Sequence, residues 1–190
     1  MKTLYRLALV LFFVSSVSAH ADLLLNSDFS IGADGLDFWE GFDITAGGTD
    51  PSLFVVAGGG TATVSGFSLV ETAFYQTFTP GNLASGTYTW DADISNINDP
   101  AAFMFIKVFT DGDFGQFDGA KFQFPSLVEG TMTLTYEHDS SDLVQFGFSG
   151  FSDTAGYQVS NLSLTVVPEP ASLLLMSGAL CGLVALRRRR

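Results

Sequence analysis

The sequence predicts an all-β protein, an antiparallel β-sandwich framed by an N-terminal signal helix and a C-terminal transmembrane helix. Three observations carry that expectation. From Asp22 to Val166 the chain alternates apolar and polar residues with period two and shows almost no helical periodicity. Turn clusters punctuate this stretch: Gly58-Gly59-Gly60, Pro80-Gly81-Asn82, Asn98-Asp99-Pro100, Asp111-Gly112-Asp113 and Asp139-Ser140-Ser141. Apolar runs of a different kind stand at the two ends, Leu7 to Val14 and Ala171 to Leu186.

The N-terminal 21 residues read as a secretory signal. Lys2 and Arg6 form a basic region, Leu7 to Val14 is the apolar core, and Ala19-His20-Ala21 is a small-residue cleavage site. Cleavage is expected after Ala21, with Ala19 as the alternative. An uncleaved anchor fits less well, because the apolar core is short and ends in Ser15-Ser16.

Strands are expected at Phe38 to Thr45, Leu53 to Ala57, Thr61 to Val64 and Ala73 to Phe78. Thr87 to Ile94 puts Tyr88, Trp90, Ala92 and Ile94 on one face and Asp91 and Asp93 on the other. Ala102 to Phe109, Ala120 to Phe124, Thr131 to Glu137 and the Val144, Phe146, Phe148 alternation follow. Tyr157 to Val166 changes phase: Tyr157 and Val159 share a face, while Leu162, Leu164 and Val166 have shifted by one. Either a bulge near Ser160-Asn161 restores the register, or the strand begins only at Asn161. Nine or ten short strands at this spacing make one sandwich domain, residues 22–166, with neither repeat nor linker.

Charge narrows the partners. Six of the eight basic residues lie in the two terminal segments. Between Asp22 and Asp153 only Lys107 and Lys121 face nineteen acids, a formal charge of −17. Such a surface repels nucleic acid and acidic polymers. It suits a neutral ligand, or an acidic one bridged by divalent cations. The single cysteine, Cys181, lies in the C-terminal apolar run, so the exported domain has no disulfide.

Catalytic chemistry finds few footholds, and the chain is not expected to be an enzyme. His138 is the one histidine outside the signal, at a strand end beside Asp139, where a solvent-facing turn residue is the simplest reading. G-x-S-x-G is absent, and no Ser-His-Asp spacing emerges. Asp91 and Asp93 make a carboxylate pair, but alternation turns both outward as a solvated face. No cofactor is expected beyond weakly held calcium at Asp111, Asp113 and Asp118. That loop opens like an EF-hand and then departs from it, with Gly115, Gln116 and Phe122 at the fifth, sixth and twelfth positions.

One strand is apolar on both faces. Met104, Ile106 and Val108 alternate with Phe103, Phe105, Lys107 and Phe109. A sandwich strand has one inner face, so one row points away from the core. An outward row of Phe103, Phe105 and Phe109 either stacks on sugar rings or a partner, or is covered by a loop such as Phe114 to Phe117. Trp39 and Trp90 read as core.

The C-terminal apolar run has sixteen residues, about 24 Å of helix against a hydrocarbon core of about 30 Å. Arg187, Arg188, Arg189 and Arg190 follow directly and stay cytoplasmic by the positive-inside bias, so the domain lies outside. From its residues alone the segment fits an ordinary stop-transfer anchor. Its order of parts, Pro168-Glu169-Pro170-Ala171-Ser172, then the apolar run, then the terminal arginines, resembles the PEP-CTERM sorting signal of Gram-negative bacteria over Val167 to Arg190. The resemblance implies transient membrane anchoring and cutting near the Pro-Glu-Pro by an exosortase, a membrane-embedded cysteine transpeptidase. Release or re-attachment at the cell surface would follow, in organisms that make exopolysaccharide. The prolines oppose helix continuation and keep the recognition segment extended.

A second resemblance covers the domain. Leu25-Asn26-Ser27-Asp28-Phe29 with Trp39, then Tyr75-Gln76-Thr77-Phe78, Ala84-Ser85-Gly86-Thr87-Tyr88-Thr89 and Ser160-Asn161-Leu162-Ser163-Leu164, are similar to the galactose-binding-like jelly roll of many carbohydrate-binding modules. It implies a jelly-roll fold and sugar binding. Ser30 and Ser160 stand where that family often places acids that help hold a structural calcium, so that calcium does not carry across. Together the resemblances imply an exported, non-catalytic surface or matrix protein that binds carbohydrate. The alternative is a structural, adhesive matrix component without a defined ligand.

Overall fold

A computed structural model describes residues 22–43, 50–65, 72–151 and 156–168. The expected signal peptide and the apolar run with its arginines lie outside these residues. Nine strands are described: β1 Glu40–Asp43, β2 Val55–Gly58, β3 Thr61–Ser65, β4 Thr72–Phe78, β5 Gly86–Ser95, β6 Phe103–Phe109, β7 Gly130–His138, β8 Leu143–Gly150 and β9 Gly156–Val166. They form two antiparallel sheets, β1-β4-β8-β6 and β2-β3-β9-β5-β7. From β3 onward the chain changes sheet at every step, a jelly-roll style of connection. Among the described residues no helix is long and apolar enough to cross a membrane.

Alternation along each strand builds the core between the sheets. The four-stranded sheet turns Phe74, Met104, Ile106, Val108, Val144, Phe146 and Phe148 inward, and the five-stranded sheet answers with Val64, Tyr88, Trp90, Ile94, Val159 and Leu164. Trp90 sits between Phe146 and Phe148, with centroids at 5.2 and 5.3 Å. Trp39 caps one end, 4.7 Å from Phe74 and 5.5 Å from Phe29. Each such ring removes enough apolar area from water to contribute about 1.5–3 kcal/mol.

Asn26, in the opening motif of the N-terminal segment, is buried and organises the loop that follows. Its Nδ2 approaches the carbonyls of Ile31, Gly35 and Asp37 at 2.8–3.2 Å, and its Oδ1 accepts from Ile31 N–H. The Asn26 carbonyl accepts from Trp39 Nε1 at 3.1 Å. The motif shapes this segment through a side-chain amide.

Three strand expectations need correction. Phe38 has φ of 73°, in the left-handed region, so the first strand begins two residues later than expected. Ile44 and Thr45, its expected end, lie outside the described residues. Leu53 belongs to a short 3-10 turn, Pro51–Leu53, whose start Asp50 caps by accepting from Ser52 N–H. Ala120 to Phe124 forms no strand, and its one backbone bridge to β6 is Gln123 with Ile106. The bulge is present: Asp91 faces Ser163 and Asp93 faces Ser160, with Asn161 at φ 49° absorbing the extra residue. β9 therefore starts at Gly156, upstream of Asn161.

Candidate functional site

The outer face of the four-stranded sheet can be read from its register. One row runs Phe42, Ala73, Ser149, Phe103; the next runs Glu40, Tyr75, Gly147, Phe105; the third runs Thr77, Gln145, Lys107; and Leu143 pairs with Phe109. The Phe103, Phe105, Lys107, Phe109 row thus points away from the main core, as the alternation requires. The three phenylalanines fare differently. Phe105 is 0% exposed and lies beside Tyr75, centroids 6.3 Å apart, in space that Gly147 leaves open. Phe103 and Phe109 remain partly accessible. Lys107 lays its Nζ 4.6 Å from the centre of the Phe105 ring, a cation–π contact.

β6 is the last strand of its sheet, and residues 116–127 run along its free edge. Asp118 N–H donates to the Val108 carbonyl, Ile106 and Gln123 exchange both backbone bonds, and Leu127 N–H donates to the Ala102 carbonyl, at 2.9–3.1 Å. This satisfies an edge that would otherwise invite another chain. The same segment reaches the other sheet: Gln123 Nε2 donates to the Thr135 carbonyl at 2.8 Å, and Lys121 Nζ donates to Asp142 Oδ2 at 2.6 Å. It is a wall closing the side of the sandwich between β6 and β7.

The wall carries phenylalanines of its own. Phe122 stacks on Phe124 at 4.5 Å, and Phe117 lies 5.3 Å from Phe122 and 5.8 Å from Phe109. At the far end Phe103 meets Phe124 and Phe151 at 6.2 and 5.9 Å. Six rings (Phe103, Phe109, Phe117, Phe122, Phe124, Phe151) and Lys107 enclose an open hollow of about 570 Å³. Phe124 is 58% exposed and Phe117 48%, large values for aromatic side chains in one cluster. The outward row is thus neither bare nor sealed: the wall covers its edge and extends its aromatic surface.

The other sequence candidates fall elsewhere. Asp113 accepts from Gly115 N–H and Asp118 from Ala120 and Lys121 N–H, so both serve as local turn caps. Asp111 adopts φ of 53° in the short turn between them and β6. Among the described residues, no three His, Cys, Asp or Glu side chains gather as a metal-holding group. Asp91 and Asp93 lie on the outer face of β5, each accepting from a threonine of β7, Thr133 and Thr131.

His138 is not the solvent-facing residue expected. It is 5% exposed, because it continues the inward parity of Met132, Leu134 and Tyr136 to the end of β7. Its Nδ1 lies 3.4 Å from the Tyr136 hydroxyl, and burial holds its pKa below the ordinary imidazole value. Tyr136 is pushed well above the usual phenol range, by burial first and then by the charge of Asp142. Asp142, 2% exposed, accepts from Lys121, whose pKa that hydrogen bond raises. Sequence reasoning missed this His138, Tyr136, Asp142, Lys121 chain. Extending the β7 alternation by one step would have found His138; nothing in the sequence pairs Lys121 with Asp142.

Pro168 stands two residues after the end of the last strand: Val166 pairs with Tyr88, and Val167 N–H donates to the Thr87 carbonyl at 2.8 Å. Glu169, Pro170 and Arg187 to Arg190 lie outside the described residues.

No curated protein matches the chain in sequence. Several solved structures share its fold. The CBM22-1–GH10 modules of Clostridium thermocellum endo-1,4-β-D-xylanase 10B, complexed with xylohexaose, superpose with a TM-score of 0.54 at 14% identity. The match covers 78% of this chain and 29% of that one. The enzymatically active domain of bacteriophage CBA120 tailspike protein 4 gives 0.52 at 13% identity, over 77% of this chain and 21% of that one. The CBM22-1 xylan-binding domain of Paenibacillus barcinonensis Xyn10C gives 0.47 at 14% identity, over 81% and 99%. This chain thus spans less than a third of the first two. At such identities the likeness is one of fold: an all-β sandwich of the kind found in carbohydrate-binding modules. Residues 166–190 match the PEP-CTERM protein-sorting motif, which implies export, C-terminal anchoring and exosortase processing; the chain is a β-sandwich that carries a PEP-CTERM sorting signal.

Proposed function

We propose that this is an exported, non-catalytic protein of the cell surface or extracellular matrix. Its sandwich binds polysaccharide on the outer face of the four-stranded sheet. The observation that carries the reading is the aromatic hollow, six phenylalanines and Lys107 on an open sheet face. Aromatic faces stack on the apolar faces of sugar rings and are tolerant of sequence along a polymer. The formal charge of −17 between the terminal segments makes a neutral glycan the preferred ligand. A signal peptide at residues 1–21 and an exosortase cut near Pro168-Glu169-Pro170 complete the route. A glycan array probed with the secreted chain tests the binding: signal on neutral polysaccharides is expected, and silence on every glycan overturns it.

A second reading has one observation in its favour. Gln123, between Phe122 and Phe124 in the chain, and Gln145, opposite Lys107 in the sheet, already use their amides on the Thr135 carbonyl and on Thr77 Oγ1. With those groups engaged, the face also suits an adhesive matrix component that sticks through apolar contact without a defined sugar.

A further inference from the structure

The point where the chain leaves the sandwich determines how the sandwich stands. β9 is paired up to Val166, and Val167 is still bonded to Thr87. Only Pro168, Glu169 and Pro170 separate that residue from Ala171, where the apolar run begins. Four Cα steps reach at most about 14 Å. The long strands of the sandwich exceed this: β5, with ten residues, extends about 33 Å.

Several elements meet at the exit end. Gly86 of β5 faces His138 at the end of β7. Ser140 N–H donates to Ser85 Oγ, and its carbonyl accepts from Gly81 N–H. Phe109 pairs with Leu143, and Gly112 packs on Pro80. This end therefore gathers the loops bearing Asp111, Asp113 and Asp139, while its lysine, Lys121, is committed to Asp142. Ser95, Glu129 and Phe103 belong to the opposite end, since Ile94 faces Gly130.

We propose that, until the motif is cut, the sandwich stands on the membrane on this acidic end. The β4–β5 loop and the β7–β8 turn face the lipid headgroups across a gap of at most about 14 Å. Carboxylates at the gap repel anionic headgroups, so the end stays off the lipid and the motif stays open to a membrane-embedded enzyme. The aromatic hollow runs along β6 away from the bilayer, with Phe103, Phe124 and Phe151 outermost. The proposal rests on the reading of Ala171 to Leu186 as a membrane anchor.

The test uses the full chain, with Cys181→Ser, in liposomes without exosortase. A donor dye is placed at Ala84→Cys or at Glu129→Cys, both exposed positions, with acceptor dye on the headgroups. Energy transfer several-fold higher from residue 84 than from residue 129 is expected. A flexible twenty-residue spacer, on the order of 25 Å in mean reach, inserted between Val167 and Pro168 should bring the two close to equality. Equal transfer from both positions in the unextended chain, or higher transfer from 129, overturns the upright arrangement. Failure of the chain to float with the liposomes overturns the anchor itself, and the proposal with it.

Discussion

Gly147 on β8 leaves the space that the Phe105 ring of β6 occupies: a Cβ there would stand 2.7 Å from Phe105 Cζ and 2.4 Å from Tyr75 Cβ. Tyr75 and Phe105, on the two strands that flank β8, share the outer face only because the residue between them has no side chain. Gly147→Ala is therefore expected to destabilise the sandwich by about 1–3 kcal/mol, the usual cost of overpacking. In a domain of this size each kcal/mol is worth about 2–4 °C, so a thermal melt reads it directly.

Phe105 and Phe103 should separate stability from binding. Phe105 is wholly buried, so Phe105→Ala costs about 3–5 kcal/mol. Phe103 and Phe124 face the hollow, so Phe103→Ala and Phe124→Ala should abolish glycan signal with a smaller loss of stability. Paired denaturation and glycan-array measurements check both halves. Retained binding in Phe103→Ala and Phe124→Ala would place the ligand elsewhere.

Lys121 anchors the aromatic wall through a carboxylate that is itself buried. Lys121→Met leaves Asp142 without its cation in a low-dielectric site, which is more harmful than the loss of an exposed pair. The lysine side chain is 38% exposed, so solvent moderates the effect to about 1–2 kcal/mol. Hydrogen exchange should show the amides of residues 118–123 losing protection before those of β8.

Acid should weaken the fold through His138. Its folded pKa lies below the ordinary 6.5, so above that value both states are neutral and the group has no effect on stability. As pH falls below 6.5 the unfolded chain takes up the proton first, and stability declines until the folded value is passed. Burial outweighs the opposing pull of Asp142 and Asp139. Denaturant midpoints at pH 7.5 and 5.5 should differ more for the natural chain than for His138→Gln.

Processing predicts a mature protein that ends near Pro168-Glu169-Pro170 and lacks Arg190. Mass spectrometry of the surface fraction decides this, and an intact Arg190 terminus there would refute cutting.

Period-two alternation made most of this fold legible, because each strand has one face in a single core. The bulge at Asn161 was legible for the same reason: two apolar sets out of phase on one strand need an extra residue between them. The aromatic wall was not. Residues 116–127 follow the edge of β6, and Asp118-Gly119 and Pro125 interrupt any strand pattern there. Their phenylalanines report contacts with Phe103 and Phe109, made by rings that no spacing rule connects. The loop suspected of covering the row, Phe114 to Phe117, was only part of the cover. Phe151, which closes the far end, follows β8 and carries no signal of its own.

β9, the strand that leads to the tail, lies in the middle of its sheet, between β3 and β5. A pull on the anchored end is therefore directed along a strand that β5 holds on one side, while β3 over Gly156–Ser160 and the Leu23 N–H bond to the Leu164 carbonyl hold the other. Its hydrogen bonds are loaded together in shear and do not peel one after another from an edge. Resistance to drag at the cell surface would then depend on the unfolding rate, not on equilibrium stability. A protein held by this terminus in a flowing environment is gripped by an inner strand of its fold and not by an edge strand.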